Sequence, residues 1–363
     1  MRLPASAPPE ERGLSRDGVR LLVGTPDGIV HAKFADLPRF LSAGDLVVVN
    51  TSATIPAAVD GQRTDGRPAT VHLSAPLDDG TWLVELRESA AATGPVTDAS
   101  PGETVTLPAG ASLTLLSRYP DPAAHRIWTA SAATDGDITA FLARHGRPIR
   151  YSYVRHPWPL AAYQTVFARI PGSAEMPSAG RPFTPGLVTQ LIAAGVIIAP
   201  ITLHAGVASL EAGEPPLPER FTVPEPTAQL VNLASAAGRR VVAVGTTCSR
   251  ALESAAGPGG SATARHGWTD LVLGAGHPAR VVTGLVTGWH EPGASHLALL
   301  KAVAGAELVR AAYLEAERGG YLWHEFGDSC LLLPPLPKRR PAPPRPLASA
   351  AGPPGGSPAP GRR

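Results

Sequence analysis

The residues best suited to chemistry sit where apolar runs end. The run VVAVG leads into Thr246-Thr247-Cys248-Ser249-Arg250 and then Leu252-Glu253-Ser254. A strand running through Gly-Thr-Thr into a helix offers free backbone N–H groups and hydroxyls to an anionic or polar group. Arg250 could grip a carboxylate as a bidentate fork. The plain alternative is a capping threonine followed by a helix that shows one arginine and one glutamate to solvent, and residue physics alone favours it. His204 closes ITLH ahead of Ala205-Gly206, and His290 ends LVTGWH ahead of Glu291-Pro292. Asp328 follows Glu325-Phe326-Gly327, where glycine lets the backbone bend toward a ligand. Each could act as a general acid or base or bind a polar substrate; singly, each is more often a cap. A zinc site from His204 and His290 has no close ligand spacing behind it, and no metal is expected.

A second group is basic and aromatic: Arg144, Arg147, Arg150, Tyr151, Tyr153 and Arg155, with His156 and Trp158 beyond. Guanidinium groups bind phosphates while aromatic rings stack on exposed bases, so these six are candidate nucleic-acid contacts. An interdomain linker in an arginine-rich chain accounts for them equally well.

Ligands of open α/β sheets sit outside the carboxyl ends of the strands, so the first group needs such a sheet beneath it. From about Phe183 strands and helices alternate. Thr184-Pro185 opens the helical run GLVTQLIAAG, with Gly195 as its stop. VIIAPITLH then reads as a buried strand, Pro226 and Gly238 bracket a second helix, and RRVVAVG supplies another strand. A long helix is expected from Ser295 to about Arg318 and a last strand near CLLL. Between Val59 and Trp128 the pattern changes to short Val/Thr/Leu segments separated by Gly, Pro and Asp-Gly turns, the signature of a small antiparallel sheet or barrel. GDLVVVN near the N-terminus resembles the strands of the later half. The expected fold is therefore α/β, a mixed or largely parallel sheet with an inserted small antiparallel β-barrel-like domain. Its parts are 1–58 and 151–333 for the α/β domain, 59–150 for the insertion, and a disordered Pro/Gly/Arg-rich tail at 334–363.

Bulk properties bound the function. The 363 residues are 44% hydrophobic and 17% charged, which suits a soluble globular chain of two domains. A net charge of +2 is too small to signal nucleic-acid binding, so any such surface must be local. Two cysteines cannot build a disulfide framework. The N-terminal stretch has no apolar core of a signal peptide and no run approaches a membrane span, so a cytoplasmic protein without membrane contact is expected.

Taken in order, the segments resemble a known family. Tyr163-Gln-Thr-Val-Phe-Ala-Arg169-Ile-Pro-Gly-Ser173, then Met176-Pro-Ser-Ala-Gly180 and Phe183-Thr184, are similar to the YQTVYA-x-x-PGS-x-A-x-PTAG-x-x-FT signature of the S-adenosylmethionine:tRNA ribosyltransferase-isomerases of queuosine biosynthesis. Thr202-Leu203-His204-x-Gly206, Val244-Gly-Thr-Thr-x-x-Arg250-x-Leu-Glu-Ser254, Thr269-Asp270, Gly284-Leu-x-Thr287, His290 and Phe326-Gly-Asp328 continue the likeness, which runs from about Arg20 to Leu333. The resemblance implies an enzyme that uses S-adenosylmethionine as ribosyl donor, with no metal. It would transfer the pentose to a 7-aminomethyl-7-deazaguanine base in the anticodon region of tRNA, giving epoxyqueuosine, adenine and methionine. It also implies that Gln164, Ser173, Thr246, Thr247 and Arg250 line the site, with Glu253 beside them, together with His204, His290 and Asp328. Arg250 and the two threonines would hold a polar or anionic group, and His204 or Asp328 would move a proton.

The chain departs from the family pattern at several polar positions. N-D-T-R-V-I-P-A-R reads Asn50-Thr51-Ser52-Ala53-Thr54-Ile55-Pro56-Ala57-Ala58, without the Asp and both Arg. The His of PTAGLHFT is Pro182, M-H-S-E appears as Leu217-Pro218-Glu219 without its His, the Asn of L-I-T-N-F-H is Gly288, and a later Lys is Gly293. These changes keep two other readings open: a paralogue that binds S-adenosylmethionine or a related nucleoside but serves another acceptor, and a non-catalytic binding protein.

Overall fold

Nine strands pair into one mixed sheet in the computed structural model, which describes residues 3–88, 94–151, 153–207, 216–290, 295–323 and 325–336. The strands are β1 (Arg20–Thr25), β2 (Gly28–Lys33), β3 (Leu46–Asn50), β4 (Ile197–Leu203), β5 (Glu219–Val223), β6 (Val241–Val244), β7 (Arg265–Thr269), β8 (Gly284–Thr287) and β9 (Ser329–Leu332). Their spatial order is β7-β5-β4-β3-β6-β8-β9-β1-β2. The central four, β4, β3, β6 and β8, run parallel, and β9 returns antiparallel beside β8. All five residues of β3 are buried, as a strand covered on both faces requires. Leu46 and Val48 pack with Val231, Leu252 and Trp289 on one face, while Val47 and Val49 pack with Phe183, Leu187 and Leu191 on the other.

Helix α1 (Ile138–His145) packs on the barrel through Phe141 and Leu142, while α2 (Pro185–Ala193), α3 (Glu225–Ala236), α4 (Gly245–Ser254), α5 (Ser295–Ala304) and α6 (Ala306–Arg318) cover the two faces of the sheet. Thr184 caps α2 by accepting the Leu187 N–H at 3.2 Å. The single helix expected over Ser295–Arg318 is two, because Gly305 takes φ +83°, outside the helical region. Residues 337–363, which hold most of the expected tail, and residues 291–294 with Gly293 lie outside the described residues.

Between β3 and β4 the chain inserts six strands, Ala58–Arg63, Pro68–Pro76, Trp82–Glu88, Thr104–Thr106, Ser112–Tyr119 and Ile127–Ala133, which close into an antiparallel barrel. The mixed sheet with an inserted barrel is thus the fold the chain forms. A register shift between Leu73 and Ala75 marks a bulge at Ser74. Bulges re-aim side chains, and the Ser74 hydroxyl accepts the Val207 N–H at 3.0 Å, docking the barrel wall just beyond the end of β4.

The barrel core carries a charge cluster beside its apolar residues. Glu85 is fully buried and accepts hydrogen bonds from Arg87 and Arg126, each at 3.0 Å. Burial pushes its carboxyl up, but its polar neighbours outweigh this and hold it down at about 2. His72, with Nδ1 3.4 Å from the carboxylate, leads that pull, followed by the charges of Arg126 and Arg87, although burial lowers the pKa of His72 itself. A carboxyl lowered on folding stabilises fully above its unfolded value, 4.5 here, and loses that contribution as pH falls toward 2. Glu85→Gln should therefore lower the unfolding free energy at pH 7 by about 3 kcal/mol in urea titrations. The gap to wild type should close as pH falls from about 4.5 toward 2; a gap independent of pH would show that ionised Glu85 is not its source.

Candidate active site

The parallel strands β4, β3, β6 and β8 end on one edge of the sheet. The space beyond such strand ends, the crevice of open α/β folds, is where these proteins bind ligands. Asn50, the last residue of β3 and 4% exposed, organises it. Its Oδ1 accepts the N–H groups of Ser52 and Leu203, both at 3.0 Å. Its Nδ2 donates to Leu203 O at 2.8 Å and to Thr247 Oγ1 at 3.4 Å. One carboxamide thus ties the ends of β3 and β4 to the first turn of α4.

Past Asn50, Ser52–Thr54 pairs in parallel with Ile170–Ser173. Here Ser52 Oγ lies 2.7 Å from His204 Nδ1 and 2.7 Å from Ser173 Oγ. The Ser173 hydroxyl also accepts the Ala205 N–H at 3.0 Å. The imidazole lies on Gly172, where a Cβ would come within 2.5 Å of Nδ1 and 2.6 Å of Cε1. Burial lowers the pKa of His204. On the other side, Gly245 (φ +93°) begins α4, whose N-terminus has no side-chain cap. Thr246 and Thr247 stand half-buried on that turn. An uncapped helix start beside two hydroxyls suits an anionic or polar group.

Other expected site residues are committed to the protein itself. Arg250, 6% exposed, pairs with the carboxylate of Glu219 and donates to the carbonyls of Leu217, Thr269 and Leu271 at 3.1–3.2 Å. The carboxylate it grips is therefore one of the chain's own, and Glu219 in turn accepts the Gly206 N–H at 3.1 Å. Glu253 accepts the N–H groups of Arg280, Val281 and Val282 at 2.8–2.9 Å, which makes it the anchor of the turn before β8. Gln164 pairs with both backbone groups of Thr54 through its amide. Asp328 accepts four hydrogen bonds, three from Arg20 and one from the Leu322 N–H, so its lone pairs are occupied and it braces β9 against β1.

His290 Nε2 lies 3.2 Å from Thr287 Oγ1, and its ring stacks on His296 with centroids 4.3 Å apart. Burial pushes His296 down to about 4, helped by Arg250, so that ring is neutral at physiological pH. A shallow cleft nearby is lined by Arg16, Ser178, Pro182, Gly288 and Asp328, among others. Pro182 and Gly288, two of the departures from the family pattern, therefore face one space.

Among the candidate nucleic-acid contacts, the tyrosines need correcting. Tyr151 is buried and donates its hydroxyl to Glu175, and Tyr153 donates to Glu325 at 2.8 Å. Their rings pack on each other with centroids 6.1 Å apart. Arg147 bonds Asp60, and Arg150 bonds the carbonyls of Val154 and Arg155. Arg144 and Arg155 are exposed. Residue reasoning missed Ser52, Gly172, Glu219 and His296. The available signals were a hydroxyl two residues past the end of a buried strand, for Ser52, and the glycine of the Pro-Gly-Ser run, for Gly172.

The fold is an open α/β sheet with an inserted barrel, and polar side chains gather at its strand ends. The sequence model of the family described as queuosine biosynthesis protein matches residues 1–332, and the chain belongs to that family. Similar proteins include the S-adenosylmethionine:tRNA ribosyltransferase-isomerase of Acidiphilium cryptum, 37% identical over 90% of this chain and 96% of that protein. The enzyme of the same name from Moorella thermoacetica is 36% identical over 88% of this chain and 94% of its own length. A crystal structure of the S-adenosylmethionine tRNA ribosyltransferase of Thermotoga maritima covers 91% of this chain and 96% of that one, with 28% identity and a TM-score of 0.49.

Arg250→Ala should act on stability first. It strips a buried carboxylate of its partner, a loss of about 3–5 kcal/mol in denaturant unfolding. An unchanged midpoint would return Arg250 to the role of ligand contact.

Proposed function

We propose that the chain is an S-adenosylmethionine:tRNA ribosyltransferase-isomerase. In this reading it moves the ribosyl moiety of S-adenosylmethionine to a 7-aminomethyl-7-deazaguanine base in the anticodon region of tRNA, forms epoxyqueuosine, and releases adenine and methionine in the cytoplasm. The observation that carries it is the family match over residues 1–332 in a chain whose Asn50, Ser52, Ser173, His204 and Thr247 interlock around one crevice.

The chemistry asks for a group that holds the methionine carboxylate, a donor facing developing charge, and cations for tRNA phosphate. The N-terminus of α4 with Thr246 and Thr247 suits the first. His204 suits the second, because its Nε2 makes no hydrogen bond among the described residues. Arg144 and Arg155, both exposed, suit the third. His290 borders the site through its bond to Thr287.

A second reading is favoured by one feature. Pro182 and Gly288 line the same cleft where the family pattern has His and Asn. A Cβ added at Gly288 would meet nothing within 4 Å. A space emptied of two polar groups suits a paralogue acting on a different acceptor.

Purified protein with S-adenosylmethionine should release adenine only with tRNA carrying the aminomethyl-deazaguanine base. His204→Ala should lower that rate by about 10²–10³-fold, the usual worth of a donor aimed at developing charge. No adenine from folded protein with competent tRNA would favour the paralogue. Binding without turnover on any acceptor would leave a binding protein.

A further inference from the structure

We infer that Ser52 and Ser173 are positioning residues that hold His204 in the tautomer with its proton on Nε2, so that the ring meets its ligand as a neutral hydrogen-bond donor. The inference rests on the proposed function for what the ligand is, but the tautomer follows from hydrogen-bond accounting in the site. Ser52 and Ser173 are fully buried, with 0% exposure, so water does not complete their bonding. Among the described residues, Ser173 Oγ has two neighbours, Ser52 Oγ at 2.7 Å and the Ala205 N–H at 3.0 Å. Ser52 Oγ has two, Ser173 Oγ and His204 Nδ1, both at 2.7 Å.

Each hydroxyl has one hydrogen to give. With the proton on Nε2, Ser173 donates to Ser52, Ser52 donates to Nδ1, and Ser173 accepts from Ala205; both hydroxyl hydrogens are placed. With a proton on Nδ1, that N–H donates to Ser52, Ser52 must donate to Ser173, and the Ser173 hydroxyl hydrogen finds no acceptor. An orphaned buried donor disfavours the second arrangement by roughly ten- to a hundredfold in population. The Ala205 N–H sets the direction, because it can only donate and fills the acceptor side of Ser173. Gly172 holds the ring plane from beneath. Burial of His204 presses the same way, toward the neutral ring. A neutral Nε2–H can polarise or stabilise a developing negative charge without becoming imidazolium, so the proton abstraction in the reaction belongs to a group other than His204.

The test is long-range ¹H–¹⁵N spectroscopy of full-length protein labelled with ¹⁵N-histidine, the His204 signals being identified by their loss in His204→Gln. Wild type should show Nδ1 bare and Nε2 protonated. Ser52→Thr, which keeps the hydroxyl, should show the same pattern, and Ser52→Ala should raise the Nδ1-protonated fraction at least about tenfold. Protonated Nδ1 in wild type, or an unchanged pattern in Ser52→Ala, overturns the inference. Should Ser52→Ala not fold, the wild-type and Ser52→Thr spectra decide it. In the adenine-release assay Ser52→Ala should lower kcat about tenfold with little change in KM, and Ser52→Thr should restore it. Equal loss in both variants would also overturn it. The spectra need no substrate, so absence of adenine release in wild type would count against the proposed function alone.

Discussion

The Asn50 carboxamide is the constraint on which the strand-end site depends. At the end of β3 the backbone ladder stops, and the chain must part from β4 to leave room for a ligand. Parting exposes peptide groups that a buried site cannot leave unpaired. Asn50 satisfies the N–H and C=O of Leu203 together, fixes Ser52, and reaches Thr247. The crevice therefore has a rigid floor made by one side chain of the correct length. Ser52 then hands that order to Ser173 and His204.

Around this floor, ionised groups act as struts. Arg250 with Glu219 ties α4 to β5 and to Gly206, the second residue past His204. Glu253 gathers three N–H groups ahead of β8, and Asp328 gathers four donors at the start of β9. These residues shape the site by fixing strand ends, while the hydroxyls, the helix N–H groups and the His204 imidazole face the crevice among the described residues. The barrel joins the same frame, because its bulge at Ser74 docks on Val207.

The sequence disclosed what depends on local pattern. The Thr184-Pro185 start of α2, the apolar β3 and β4, and the short strands of the barrel all follow from caps, runs and turns within a few residues. The short helix α1 went unread because its cap, Asp137, follows a stretch of strands and its turns are few. Roles were harder to read than elements. Arg250 and Glu253 look ligand-facing in isolation, but their partners come from 19–33 and 27–29 residues away. Tyr151 and Tyr153 look free to stack until Glu175 and Glu325 arrive from other segments. Ser52 and His204 are 152 residues apart, and only the sheet brings them to 2.7 Å. Charge and aromatic type mark a residue as capable of chemistry; the partner that claims it is a property of the fold.

The central claim is that the ligand lies over Asn50, between His204 and the first turn of α4. The direct measurement is a crystal structure of the protein soaked with S-adenosylmethionine. The account predicts density there, with the ligand's carboxylate against the N–H groups of Thr246 and Thr247 and a polar atom within hydrogen-bond reach of His204 Nε2. Ligand density elsewhere, on the barrel or against β7, with the crevice filled only by water, would contradict it.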